Sequence, residues 1–373
     1  MSGQPKVSVI VPIMNVEKYL EGALRSLQAQ TLREAEFLLL DDGSTDGSPA
    51  IARRFAEADS RFRVIEKENT GYGHTMNVGM DQARGEYIGI LEPDDEADPR
   101  MYERLYEEAA KHGLDFVKSD FIQFRETPEG RREGAIRLAE DDRWYNRTLA
   151  PGEEKETFFF PINTWTGIYR REFLDEHRIR HHESPGASFQ DNGFYFQTFC
   201  LGKKVRFLRD RLYRYRVDNP DSSSLSRGKE MCVTEEFRWI RAWLEQDPAL
   251  LAEYEGILND KEYYSMSLTL GRLPAERKMP YLEHMREELG TAWREGKFDR
   301  KYLEKKDWAR LERIMEDPEA VCRQLLKQEE ADRAYEKTAG LSRRIRSGLR
   351  LLRSEGAGKA WRYAAERFRG GRS

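Results

Sequence analysis

Along the first hundred residues, short runs of β-branched and leucine side chains alternate with segments whose apolar positions recur every three or four residues. The runs read as buried strands and the spaced segments as helices with one apolar face. This predicts strands at 6–12, 36–41, 62–66 and 87–91, and helices at 16–30, 49–58 and 74–83. In the first helix Tyr19, Leu20, Ala23, Leu24 and Leu27 share a face, with Asn15 as expected N-cap and Glu17 in the first turn. Strand, helix and strand joined by short links predict an α/β fold with a doubly wound, mostly parallel sheet.

Further along, a helix through Tyr102, Leu105, Tyr106 and Ala109 leads to a strand at 115–117, after which residues 125–156 lose their periodicity and read as a surface excursion. Aromatic character returns at 158–161 and 165–169. A polar loop over 181–193 leads to a helix expected at 194–201, then an edge strand at 205–208. From about residue 228 the pattern is helical only, with Trp239, Trp243, Tyr254, Tyr263, Leu268, Trp293 and Trp308 as expected anchors. The expected organisation is a sheet domain at 5–228, a helical region at 229–336 and a basic helical tail at 337–373.

Of the 373 residues 35% are charged, the mean hydropathy is -0.82 and the formal net charge is -4. No apolar run approaches the ~20 residues that span a bilayer, and the first residues lack a signal-peptide pattern. Cys200, Cys232 and Cys322 stand alone, which argues against a disulfide framework or a zinc site. A cytoplasmic protein is the expectation. Residues 337–373 carry eleven Lys/Arg against two Glu, a net +9 that leaves -13 on the remainder. Leu341, Ile345, Leu349 and Leu352 repeat on one helical face there, with Trp361 and Phe368 beyond. Such a helix suits an anionic membrane surface, and docking on the chain's own acidic part is the alternative. No recognition motif accompanies the charge, so nucleic acid is not expected as a partner.

The candidate chemistry gathers where the fourth strand ends, in Glu92, Pro93, Asp94, Asp95, Glu96 and Asp98. The second strand ends in another acidic turn, Asp41–Asp42. In a parallel sheet both turns lie on one edge, where ligands of open α/β sheets bind. Crowded carboxylates suit a hard divalent cation such as Mg2+ or Mn2+; the plain alternative is a solvated turn before a helix N-terminus.

The ordered motifs Val-Ile-Val-Pro-x-x-Asn (9–15), Asp-Asp-Gly-Ser-Thr-Asp-Gly-Ser (41–48), Asn-x-Gly (69–71), Gly-Glu-Tyr-Ile (85–88) and Glu-Pro-Asp-Asp (92–95) resemble family 2 glycosyltransferases over roughly residues 5–225. The resemblance implies a GT-A-type fold and an inverting enzyme with a nucleotide-sugar donor, expected to be of the uridine type. It further implies a saccharide or glycolipid acceptor and a role in bacterial surface polysaccharide synthesis, peripheral to the inner face of the cell membrane. Pro12, Met14, Glu17, Asp42, Asn69 and Gly71 would then line the donor pocket. Glu92 and Asp94 would meet the metal, and Arg216 with Ser222–Ser224 would close over the diphosphate. Asp191 would be the base, with Gln190, Asp95 and Trp165 on the acceptor side or supporting the site residues from behind. Asp191 as a plain N-cap, Trp165 as a core ring and His181–His182 as solvated loop residues are the alternatives. Met14, Met76, Glu92 and Gln190 depart from the family pattern, which leaves open a non-catalytic binding or scaffolding member. A homo-oligomer stays open as well.

Overall fold

A computed structural model describes residues 4–220 and 229–332. The first strands form as the pattern predicts. β1 (Val7–Ile13) and β2 (Ala35–Asp41) are buried at every position, as strands covered on both faces are. Besides Asp41 at the end of β2, a charge sits inside them: Glu36 is 3% exposed, accepts from Ser8 Oγ at 2.5 Å and is forked by the Arg84 guanidinium at 2.5 and 2.9 Å. Its carboxyl is burial-penalised, yet these bonds hold it below the usual range. β3 (Phe62–Glu66) and β4 (Tyr87–Ile90) complete the parallel half, separated by α1 (Glu17–Gln28), α2 (Ser48–Ala58) and α3 (Tyr72–Gln82).

The second half of the sheet mixes directions. β5 (Glu96–Ala97), α4 (Met101–His112), β6 (Phe116–Arg125), β7 (Arg132–Ile136), β8 (Gly167–Arg170), α5 (Arg171–Glu176), α6 (Gln190–Leu201) and β9 (Val205–Arg216) follow in chain order. The spatial order is β3-β2-β1-β4-β8-β6-β9-β5, with β7 beside β6. β8 is antiparallel to β4 and β6, whereas β9 is parallel to β6. The α/β fold class with helices after the sheet therefore holds, its parallel character concentrated in β1–β4 and β6–β9.

Several local expectations need correction. Asn15 is not the N-cap of α1: Val16 holds that place, and Asn15 sits at φ 50 facing the next loop. The stretch 125–156 is not a loose excursion. Trp144, Tyr145 and Leu149 are buried, and the Asp120 carboxylate gathers the stretch by accepting from Leu138 N at 2.8 Å and Tyr145 Oη at 2.7 Å. A few aromatic anchors do what no periodic pattern announced. β9 is not a short edge strand either; its twelve residues lie between β6 and β5.

The described chain divides into two compact units. The first is Met1–Thr269 with Ala292–Leu303, and it includes α7 (Cys232–Leu244) and most of α8 (Pro248–Arg272) together with the sheet. The second is Leu270–Thr291 with the chain from Glu304 onward, and includes most of α9 (Ala275–Arg294) and all of α10 (Lys305–Glu316). In the second unit Lys278, 1% exposed, donates to Leu270 O at 3.0 Å and pairs with Glu329 at 2.8 Å. The change of texture near 228 is thus a change of secondary structure, while the compact units divide later. Among the described residues no helix is long and apolar enough to cross a membrane.

Candidate functional site

Two loops leave the carboxyl ends of β1 and β2 and hold each other. Asn15 N donates to Ser44 Oγ at 3.0 Å, and Asn15 Oδ1 accepts from Thr45 N at 2.8 Å. Glu17 Oε2 accepts from Gly47 N at 2.6 Å, while Asp46 accepts from Glu17 N at 3.0 Å and Ser48 N at 2.9 Å. Glu17 is therefore a strut of the loop wall. Pro12 is buried in β1 and Met14 is 39% exposed at its end, with its sulfur 3.5 Å from Asn69 Nδ2.

Asp42 anchors a third loop. It is 4% exposed; Oδ1 accepts from Thr70 N at 2.9 Å and from Lys67 Nζ, and Oδ2 from Gly71 N at 3.0 Å. Three of its four lone-pair positions are thus used, leaving one on Oδ2. Gly71 has φ 91, and a Cβ there would lie 2.9 Å from Gly186 N. At Gly73 a Cβ would fall 1.9 Å from His182 O. Only glycines let the 69–73 turn approach the 181–190 loop so closely, and Tyr72 N donates across to Gly186 O at 2.9 Å.

The acid turn after β4 is tied down at both ends. Tyr72 Oη donates to Glu92 Oε1 at 2.8 Å. Tyr213 Oη accepts from Glu92 N at 3.1 Å and donates to Asp95 Oδ2 at 2.7 Å. Asp95, 1% exposed, also accepts from Arg216 N at 2.7 Å, so it is a buried carboxyl that holds the turn together. Burial, then the charge of Asp94, holds it well above the usual carboxylate range. Arg216 is committed to the same turn. Its Nε donates to Asp94 O at 2.9 Å, it pairs with Asp218 at 3.3 Å, and its guanidinium lies over Tyr19 and Phe124 at 4.9 and 4.5 Å. Asp94 Oδ2 accepts from Asn219 at 2.7 Å. Ser222–Ser224 lie outside the described residues.

Glu92 carries the main electrostatic signal. Burial, followed by the charges of Asp94 and Asp191, pushes its carboxyl up to about 8 against the Tyr72 hydrogen bond. Trp165 is half-buried and stacks on Tyr213 at 4.2 Å and on Tyr215 at 5.1 Å, the latter within 1° of parallel.

α6 begins at Gln190, four residues earlier than its apolar pattern suggests, so Asp191 lies within its first turn. The N-cap is Phe189, at φ 66, with no capping side chain. Gln190, 2% exposed, folds the preceding loop around its amide: Oε1 accepts from Ser188 N at 2.5 Å, and Nε2 donates to Ser184 Oγ at 2.9 Å and Gly186 O at 3.3 Å. Asp191 Oδ1 accepts from Asn192 Nδ2 at 3.2 Å, and burial raises its carboxyl. The adjacent histidines are packed rather than solvated. His181 stacks on Phe194 at 4.5 Å, and burial pulls it down to about 3. His182 Nδ1 meets Glu236 Oε2 at 2.8 Å, and Glu236 Oε1 accepts from Gly193 N at 2.9 Å, so a carboxylate on α7 satisfies the exposed end of α6. Sequence reasoning missed Tyr72, Tyr213, Glu236 and the buried lysines Lys118 and Lys261. The strand expected at 115–117 stops just short of Lys118, and no motif covers the others.

The family model for glycosyl transferase family 2 matches residues 8–178. A Campylobacter jejuni protein named GalNAc(5)-diNAcBac-PP-undecaprenol beta-1,3-glucosyltransferase is 36% identical over 288 residues, 74% of this chain and 86% of that protein. The chain belongs to glycosyl transferase family 2. This family 2 chain is also 34% identical to the uncharacterized glycosyltransferase EpsJ of Bacillus subtilis over 224 residues, 58% of the chain and 62% of EpsJ, so the alignment spans less than two thirds of that relative. Among solved structures, residues 1–349 of S. aureus TarS superpose with a TM-score of 0.64 at 21% identity, covering 87% of this chain and 92% of that one. The family match ends before Gln190, Asp191 and Arg216, so the geometry of those residues comes from the structure alone.

Gln190 gives a sharp test of the loop, because the resemblance places glutamate there. A glutamate cannot donate to Ser184 Oγ or Gly186 O, and burying acceptors without donors costs about 1–3 kcal/mol. Gln190→Glu is expected to lower the melting temperature at neutral pH, although it restores the family residue. An unchanged melt would show that the amide does not hold the loop.

Proposed function

We propose that the protein transfers a sugar from a uridine-type nucleotide sugar to a saccharide or glycolipid acceptor with inversion, in surface polysaccharide synthesis. The observation that carries this reading is the field at Glu92, which senses both Asp94 on the donor side and Asp191 on the acceptor side. Donor acids and a candidate base thereby address one space. Family membership supports the class of reaction. The Campylobacter jejuni relative's name specifies a polyprenyl-diphosphate-linked saccharide, and TarS has been solved with UDP-GlcNAc at a TM-score of 0.61; both bear on those proteins and motivate the substrate choice here.

The donor set fits a hard divalent cation, Mg2+ or Mn2+. It offers oxygen only, from Asp94 and Glu92 on a proline-fixed turn, and the raised Glu92 carboxyl reports a repulsion that a cation would offset. Among the described residues no three His, Cys, Asp or Glu side chains group to hold a metal, but one or two carboxylates with substrate phosphates and water are a usual Mg2+ set. When bound, such an ion supplies positive charge against the departing diphosphate. Tyr72 orients Glu92, Asp42 and Glu17 keep the donor loops in shape, and Trp165 offers an aromatic face for a sugar ring. Asp191 takes the proton of the incoming hydroxyl, which permits one in-line displacement and so inversion.

Three outcomes test the reading. Uridine diphosphate is expected to raise the melting temperature only with Mg2+ or Mn2+ present. Asp94→Ala should abolish that dependence and Asp98→Ala should not; full nucleotide binding in excess chelator would refute it. Second, Asp191→Asn is expected to lose about 10²–10⁴-fold in transfer rate with donor affinity kept. Because burial raises the Asp191 carboxyl, activity in the parent protein should fall as pH drops through a value above the ordinary aspartate range. Near-normal transfer by Asp191→Asn removes the base assignment. Third, the basic segment 337–373 lies outside the described residues, and its sequence favours anionic lipid. Flotation should recover the full chain with anionic but not neutral vesicles, and less as salt shortens screening towards ~8 Å. Equal recovery with both vesicle types, or with the segment deleted, would end that proposal.

A further inference from the structure

Two lysines that belong to no motif lie in the interior behind α6. Lys118, on β6, is 1% exposed, and Lys261, on α8, is 3% exposed. Each ammonium donates to a backbone carbonyl, Lys118 to Asn163 O and Lys261 to Phe158 O. Both face the same ring: Lys118 Nζ and Lys261 Nζ lie 5.6 and 4.8 Å from the centroid of Tyr195. Tyr195 is itself fixed, with its hydroxyl 3.0 Å from Thr157 O. It stands four residues after Asp191 on α6, hence on the same helical face one turn away. A strand and a second helix thus bring two cations against the face that carries the candidate base.

Interior lysines are costly without a counter-charge, and one carbonyl each does not supply it. Burial pulls both ammonium groups down to about 7, and the charge opposing that pull on each is Asp191. Asp191 in turn is raised by burial and drawn back first by backbone N–H groups and the Asn192 side chain, with Lys118 the one cation among the opposing groups. The other titratable groups facing it are Tyr72 on α3, Glu92 after β4 and Glu236 on α7, and the two carboxyls oppose its charge.

We propose that Lys118 and Lys261 are positioning residues for Asp191, a buried cationic floor under the first turn of α6 that keeps its carboxylate charged among competing acids. This rests on the reading of Asp191 as the base. Both lysines are too deeply buried to meet an acceptor, so they act through Asp191.

Lysine-selective NMR of the full chain, labelled at Cε, tests the pairing without turnover, with Lys118→Met and Lys261→Met assigning the signals. Both signals are expected to titrate at about 7, and Asp191→Asn should lower both midpoints by about one unit. Midpoints unmoved by Asp191→Asn overturn the inference, even if that variant is inactive. Normal transfer by Asp191→Asn would instead overturn the base reading, whatever the midpoints do. In kinetics, each Met variant should lose about tenfold or more in kcat with donor KM unchanged, and Lys118→Arg should recover part of the loss. A parallel loss of donor binding would mark the lysines as merely structural and refute the proposal.

Discussion

The hydroxyl of Tyr213 closes the circuit on which the acid turn depends. It accepts from Glu92 N and donates to the buried Asp95 carboxyl, while Arg216, three residues on, binds Asp95 and Asp94 through its backbone and side chain. The turn leaves β4 and must pass the ends of β8 and β6 before β5 pairs with β9. Unsupported, five acidic side chains on such a crossing would repel one another and swing into water. Pinned to β9, they stay at the sheet edge, where burial and then the charges of Asp94 and Asp191 raise the Glu92 carboxyl. Trp165 braces the same tyrosine from the sheet side.

The same economy links the two faces of the site. Asp42 holds Thr70 N and Gly71 N, Tyr72 N reaches Gly186 O, and Gln190 gathers Ser184, Gly186 and Ser188. From the acid of β2 to the first turn of α6 the path is an unbroken run of hydrogen bonds. Its narrowest points are Gly71 and Gly73, where a single Cβ would collide with the 181–190 loop. The geometry of the 69–73 turn therefore fixes the place of Asp191.

How much of this was legible depends on where the burial lies. β1, β2 and β4 are buried at every position, so their apolar runs announced them almost residue for residue. β9 escaped because Arg206, Arg209, Arg211, Arg214 and Arg216 break up its apolar character, though ion pairs to Glu108, Asp142, Asp98, Glu133 and Asp218 satisfy most of them. The early start of α6 escaped because Gln190 and Asp191 are polar yet enclosed by tertiary partners. The motifs located the site but not what its residues touch: Asp95, Arg216 and Gln190 turn inward to hold loops, which linear sequence does not reveal. Nothing in the chain's order sets Lys118 and Lys261 against one ring.

The departures from the family pattern look different once their neighbours are known. Met76 is fully buried in α3, so its place is filled by packing and an arginine there would have no water to reach. Glu92 is one methylene longer than the aspartate it replaces, and it is the carboxyl that meets the Tyr72 hydroxyl from α3. Gln190 is a donor where glutamate would be an acceptor, and the loop before it presents a hydroxyl and a carbonyl to that amide. Met76 is matched by its packing, Glu92 by the Tyr72 hydroxyl and Gln190 by the acceptors it donates to. A site drifting out of use would shed such matches, because an unpaired buried polar group is costly and selection would favour replacing it with an apolar one. Here the carboxyls at Glu92 and Asp191 instead remain destabilised by their surroundings, which is an arrangement suited to holding charge that arrives with a substrate.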